Sequence, residues 1–255
     1  TGAGDPARTL ALLWRQPAAS PRRGPRRALD LDALVAAAVA LADEHGLAAL
    51  TMRRLAERVG TGVMSLYTYV ADRDELLDVV LDAVYAAAPR RDTAGRPWRE
   101  RVRAVAEDNR LLYRHHPWAA EVSTLRPPLG PGQTAKYEHE LAAFDGCGLD
   151  DVTVDDCLTQ LLLLVRACAR DAAAAREQRR AGTTDEQWWA AAGPLLARVL
   201  DPRRYPRAVR VGAAAGAAHG SAHDPEHAFE FGLQRLLDAL AVLVETAPGA
   251  VPGSA

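Results

Sequence analysis

The chain contains no isoleucine and a single lysine, Lys136; every other long basic side chain is arginine. Alternating runs of Val and Thr are missing too, which argues against half-buried strands. Aromatic residues are scarce at 5% and alanine is abundant, a balance that favours helix over sheet. There are three cysteines, Cys147, Cys157 and Cys168, and none stands in a C-x-x-C pair. An odd count at wide spacing fits buried thiols in a reducing compartment, not a disulfide frame or a zinc site. No apolar run reaches bilayer-spanning length, and no signal-peptide pattern opens the chain. The expectation is a soluble, cytoplasmic protein that does not enter a membrane. The sequence also lacks G-x-S-x-G, H-E-x-x-H, P-loop and G-x-G-x-x-G motifs, so nothing supports nucleophilic catalysis, zinc hydrolysis or nucleotide binding. No cofactor and no metal are expected.

What is present is apolar material for a core: 49% of 255 residues, enough for one large domain or two ordinary ones. The formal charge of −2 decides nothing about a polyanionic partner, but its distribution is uneven. Residues 1–29 carry six arginines (Arg8, Arg15, Arg22, Arg23, Arg26, Arg27) against Asp5, in aperiodic Pro/Gly/Ala/Ser sequence. This reads as a flexible basic arm.

From Asp30 the pattern turns helical. Leu31, Leu34, Val35, Ala38, Val39 and Leu41 recur at helical spacing, and Gly46 supplies a stop. Thr51 caps a short helix that ends at Gly60. Residues 63–70 make another, and Asp72-Arg73-Asp74-Glu75 reads as a capping box for a fourth, ending near Pro89. Further helices are expected over 97–116, 133–144, 153–180, 185–200 and 225–245, with a Gly/Ala/His-rich loop over 206–224. The fold class is all-α, with a break near residue 90. The domains are a helix-turn-helix unit over 30–90 and a larger helical unit over 97–247, followed by a flexible tail over 248–255.

The segment 63–70 poses a question. On a helical wheel Val63, Leu66 and Val70 share one arc, whereas Met64, Ser65, Thr68 and Tyr69 fall on the other side and Tyr67 lies at the edge. A helix ending in Val59-Gly60, then a tight turn, then a short helix with a polar and aromatic outer face is a helix-turn-helix pattern. Its second helix enters the major groove, where hydroxyls bond base edges or phosphates, Met meets a thymine methyl, and a flanking Tyr reaches a phosphate. Residues 30–90 hold more acids than bases, so the bases must be grouped on the DNA face, with the acids of 74–82 turned away. The arm has two readings: an inert tail, for residues 1–20, or a source of long-range attraction, for which Arg22 to Arg27 beside the first helix are better placed.

These residues, ALVAAAVALADEHGLAALTMRRLAERVGTGVMSLYTYVADRDELLDVVLDAVY, resemble the DNA-binding domain of the tetracycline-repressor (TetR) family over its whole length. The resemblance rests on Gly46-Leu-x-x-Leu-Thr51, Arg53-Arg54-Leu55-Ala56, Val59-Gly60, Ser65-Leu66-Tyr67 and the Arg73–Leu77 helix start. It implies that Arg53, Met64, Ser65, Thr68 and Tyr69 face bases, that Thr51, Tyr67 and Arg73 hold phosphates, and that Val63 sits at the tip of the recognition helix. Arg126-Pro127, Tyr137-Glu138 and Glu226-x-Ala228-Phe229-x-Phe231-Gly232-Leu233 resemble the branch of the tetracycline repressors themselves. That likeness implies a homodimer through the helices at 153–180 and 225–245, and a small-molecule effector. Those repressors place a magnesium-binding histidine just before Arg-Pro; this chain has Glu121-Val122-Ser123-Thr124-Leu125, so a different organic effector is implied. Candidate lining residues are Tyr113, His116, Trp118, Arg126, Tyr137, Gln160 and Leu164. The protein is thus expected to be a regulator, most simply a repressor, released from a palindromic double-stranded DNA operator by that effector, and not an enzyme. The rival reading is a magnesium-dependent helical enzyme acting on a diphosphate, because Asp151 and Asp155 share a helix face.

Overall fold

A computed structural model describes residues 5–16, 30–123, 125–182 and 184–246, and these form helices joined by short turns, with no strand. The first helix, α1 (Pro6–Leu13), corrects the expectation of a wholly flexible arm. Asp5 caps it through the Ala7 N–H, Pro6 takes the first helical position, and Leu13 is buried. Arg8 lies 3.3 Å from the buried Glu75 carboxylate and Arg15 pairs with Asp32, so neither hangs free for a groove. The expected arm residues Arg22, Arg23, Arg26 and Arg27, and the expected tail at 248–255, lie outside the described residues.

The next four helices are α2 (Leu31–His45), α3 (Met52–Arg58), α4 (Val63–Leu66) and α5 (Arg73–Ala87). They close on a core of Leu34, Leu50, Leu55, Leu66, Val70 and Leu76, all fully buried. The capping box at 72–75 is half made. Asp72 accepts from the Glu75 N–H at 2.8 Å, but the Glu75 carboxylate reaches the Ala71 N–H.

The larger unit comprises α6 (Trp98–His115), α7 (Pro131–Leu141), α8 (Asp151–Arg180), α9 (Asp185–Val199), α10 (Pro206–His219) and α11 (Pro225–Thr246). The helix α10 replaces the loop expected over 206–224. Pro206 starts it, its interior is alanine-rich, and Gly220 stops it at φ +66°. Glycine and histidine in the segment masked that helical propensity. At the centre, α8 packs between α6 and α11, and α11 comes close because Gly232 leaves room for Leu164. An ion-pair row ties α6 to α11: Arg99 with Asp238, Arg103 with Glu230, and Arg110 with Glu226.

The expected break near residue 90 falls after α5, yet the buried core runs on through α5 into both units. Two joints fix that contact. Asp82 of α5 accepts from the N–H groups of Gly132 (3.2 Å) and Gln133 (2.8 Å), at the start of α7. Asp43 of α2 accepts from Trp118 Nε1 at 2.7 Å and faces His116 Nδ1 at 2.8 Å. Burial pushes the Asp82 carboxyl above its ordinary range, and the Gln133 and Gly132 N–H groups only partly offset it. A carboxyl raised in the fold contributes stability that is lost as pH rises through its folded value. At neutral pH Asp82 therefore serves geometry more than stability.

Candidate nucleic-acid interface

The turn between α3 and α4 follows from its sequence. Gly60 takes φ +68°, its N–H bonds the Glu57 carbonyl (3.3 Å), and the Thr61 N–H bonds the Ala56 carbonyl (3.0 Å). This is the double-bonded Schellman stop that a glycine after a helix permits. The chain then re-enters helix at Val63, with Leu66 and Val70 plugged into the core. An α-helix of four residues is marginal by itself, so packing against α3 holds it. The expected helix 63–70 is therefore shorter, closing in a turn over 67–69. The reason is visible at its end: Thr68 Oγ1 donates to the Ser65 carbonyl at 2.7 Å.

With Leu66 and Val70 inward, the opposite side faces out. Met64 is 78% exposed, and Ser65, Tyr67 and Thr68 are exposed beside it. Tyr69 is half-buried against the core, so it points outward less than the wheel implied. Val63 is also half-buried, and packs at the foot of the turn. On the preceding helix α3, Arg53 is exposed, its guanidinium 3.1 Å from Glu57. Exposed pairs at that spacing are worth only about 0.3–0.5 kcal/mol, so a phosphate can displace the glutamate. Thr51 caps α3 by accepting from the Arg54 N–H at 3.2 Å, which leaves its hydroxyl hydrogen for an outside acceptor.

Arg73, expected to hold a phosphate, also binds within the chain. Its Nε donates to the Leu50 carbonyl (2.7 Å) and its Nη2 to the Leu47 carbonyl (3.0 Å). The guanidinium fork thus fastens the start of α5 to the turn before α3 through two of its five N–H groups. Arg54, which follows Arg53 on α3, is exposed as well. The acids also resolve. Glu75, Asp78 and Asp82 are buried on α5, so much of the excess negative charge sits inside and does not face an approaching polyanion.

The candidate effector residues do not form one pocket. Tyr113 lines a cavity with Arg110, Cys168 and Phe229. Trp118 is buried and bonded to Asp43, and His116 is bonded to the same carboxylate, so both belong to the joint between the units. Gln160 is exposed on the outer side of α8, since its register there turns it from the core. Leu164 packs on Gly232 between α8 and α11. Tyr137 donates to Asp155 at 2.6 Å across the surface, and Arg126 is exposed. In the acidic run proposed for magnesium, Asp150 caps α8 through the Val152 and Thr153 N–H groups and Asp155 holds Tyr137. Among the described residues, no group of three His, Cys, Asp or Glu side chains gathers into a ligand set.

Known proteins agree with this geometry. Residues 34–80 match the family described as bacterial regulatory proteins, tetR family, and residues 91–244 match the tetracyclin repressor-like C-terminal domain. The HTH-type transcriptional repressor DrrR1 of Streptomyces coeruleorubidus is 41% identical over 246 residues, covering 96% of this chain and 88% of that protein. The structure of Streptomyces coelicolor ActR in complex with actinorhodin superposes with a TM-score of 0.69 at 28% identity, covering 86% of this chain and 99% of that one. Mycobacterium smegmatis BioQ with its double-stranded DNA operator gives a TM-score of 0.56 at 28% identity, covering 84% and 98%. With both halves matched in order, the helix-turn-helix first and the helical body after it, the chain belongs to the TetR family of bacterial regulatory proteins.

Proposed function

We propose that this protein is a homodimeric repressor that grips a palindromic operator with two copies of α4 and is released by a small organic molecule. The observation that carries the reading is the split character of 63–70: Leu66 and Val70 are buried while Met64, Ser65, Tyr67 and Thr68 stand exposed, and Arg53 is exposed on the preceding helix. An outer face so rich in hydroxyl, thioether and phenol groups is complementary to base edges and phosphates. Two such faces reach successive major grooves when about 34–36 Å apart. The bound structures of ActR and BioQ support a ligand and an operator as the two partners, by kinship. A ligand that favours the head spacing of the free form weakens DNA binding by its differential affinity. The route runs through α5, which the head and the body share.

Arg53→Ala is expected to weaken operator binding by about 1–3 kcal/mol per half-site in gel-shift titrations, with the dimer intact. Affinity equal to the parent would remove Arg53 from the interface. Tyr67→Phe, which deletes only the phosphate-reaching hydroxyl, should give a smaller loss.

For the dimer, the outward apolar residues of α8 and α11 are the natural seam: Leu163, Phe231, Val242 and Leu243 are all exposed in the single subunit. Pairing these helices across a twofold axis would cover them. Phe231→Arg is expected to shift sedimentation from dimer towards monomer and, with it, to abolish cooperative operator binding. A variant that sediments as the parent does would move the seam elsewhere.

A further inference from the structure

Three polar side chains that play no part in the operator face meet inside the body between α6 and α7. Lys136, Glu140 and Asn109 are 8%, 2% and 3% exposed. Lys136 Nζ donates to Glu140 Oε1 at 2.6 Å, and the same ammonium lies 5.3 Å from the Tyr85 ring centroid. Asn109 Nδ2 donates to that oxygen as well and to the Val105 carbonyl at 3.0 Å. The remaining acceptors of both partners, Glu140 Oε2 and Asn109 Oδ1, are buried without a donor. Buried acceptors left unpaired are costly, so two together call for a donor from outside the chain.

Asn109 and Glu140 line a recess together with Pro89, Val105 and Leu112, with room for about one water-sized group. Arg90 and His139 line both this recess and a wider groove of about 480 Å³ beside it. A molecule lying in the groove can therefore send one group inward.

We propose that groove and recess together bind a small organic molecule through a hydroxyl group that donates its one hydrogen to Glu140 Oε2, or through an amino group that donates to both Glu140 Oε2 and Asn109 Oδ1. The assignment rests on the repressor reading and adds the position and the chemistry of the effector. A carboxylic acid does not suit the recess, because its charge would meet the Glu140 carboxylate. An ether or ketone does not suit it either, having no hydrogen to give. The position gives the ligand purchase on the head. Pro89 and Arg90 follow the last turn of α5, and Arg90 Nη2 donates to the Tyr85 carbonyl at 2.9 Å. A group inserted beside them bears on one end of the helix whose other end, through Arg73, holds the turn before α3.

Lys136 is the only lysine, so protein grown with ¹³C-lysine yields a side-chain signal from this site alone. The full chain, without DNA, is titrated with phenol, with anisole and with benzoate. Phenol is expected to move the Lys136 signal saturably, anisole and benzoate to leave it in place, and Glu140→Gln to weaken phenol binding about tenfold or more. No shift with any probe, as when ordered water already satisfies the acceptors, overturns the proposal. Equal shifts with anisole or benzoate also overturn it. The probe comparison uses the parent protein, so it stands even where the variant misfolds. Because DNA is absent, failure here is separate from failure of the operator reading, which rests on Arg53→Ala.

Discussion

Gly132→Ala is expected to lower the thermal unfolding midpoint by roughly 6–12 °C, the largest effect of a single methyl anywhere in the protein. A Cβ at residue 132 would lie 2.0 Å from the Asp82 carbonyl oxygen and 2.9 Å from the Ala86 nitrogen. Both are backbone atoms of α5, so no rotamer change relieves the collision and α7 must move away. Overpacking typically costs about 1–3 kcal/mol, and a clash with a helix backbone belongs at the top of that range or beyond it. A chain of this size loses roughly 2–4 °C per kcal/mol. Separation of α7 from α5 also takes the Gly132 and Gln133 N–H groups away from Asp82. Gly130→Ala is the control. The atoms nearest its Cβ would be those of the Asp82 carboxyl group, 2.4 Å away, which can rotate aside at the cost of those hydrogen bonds, about 1–2 kcal/mol. The order of the two variants is the test. Were Gly130→Ala the more damaging, or Gly132→Ala neutral, the close approach of the two helices would not exist in solution.

Trp118→Ala is expected to remove about 3–5 kcal/mol, by the emptied volume and by the loss of one Asp43 partner. The side chain is 1% exposed and sits in the core beneath α2 with its Nε1 on Asp43. Trp118→Phe separates the two contributions. It keeps most of the ring and deletes the donor, so about 1–2 kcal/mol should go. Hydrogen exchange should then rise in α2 before it rises in α8, because Asp43 would keep only His116 as a partner to the body. Uniform exchange over both units would mean that Trp118 fills space without joining them.

Both variants probe contacts that no local pattern reveals. The aliphatic stripe of 63–70, the caps at Thr51 and Asp72, and the glycine stops at 46 and 60 were legible because each depends on residues within one or two turns. The same local logic failed for α10, where glycines and histidines hid an alanine-rich helix, and for α1, where arginine and proline content masked a capped apolar turn. The outward side of α4 was legible, but the partners of Arg73 were not, because a wheel gives direction and not distance. It cannot show that carbonyls 23 and 26 residues earlier lie within reach of a guanidinium. The effector residues were the least legible. His116 and Trp118 carry the polar and aromatic chemistry of a pocket, yet Asp43 had already taken them.

The sequence by itself determined that the chain is helical, where α3 and α4 turn, and which side of 63–70 faces out. Periodicity, capping and left-handed glycine all act over a few residues, so their outcome is written locally. Tertiary structure alone decided which polar groups are spent and which are left over. Arg73, Trp118 and Asp82 found partners far along the chain, whereas Glu140 Oε2 and Asn109 Oδ1 did not. Whether a buried donor or acceptor is satisfied depends on what the whole fold brings within about 3 Å of it, and no spacing in the sequence encodes that.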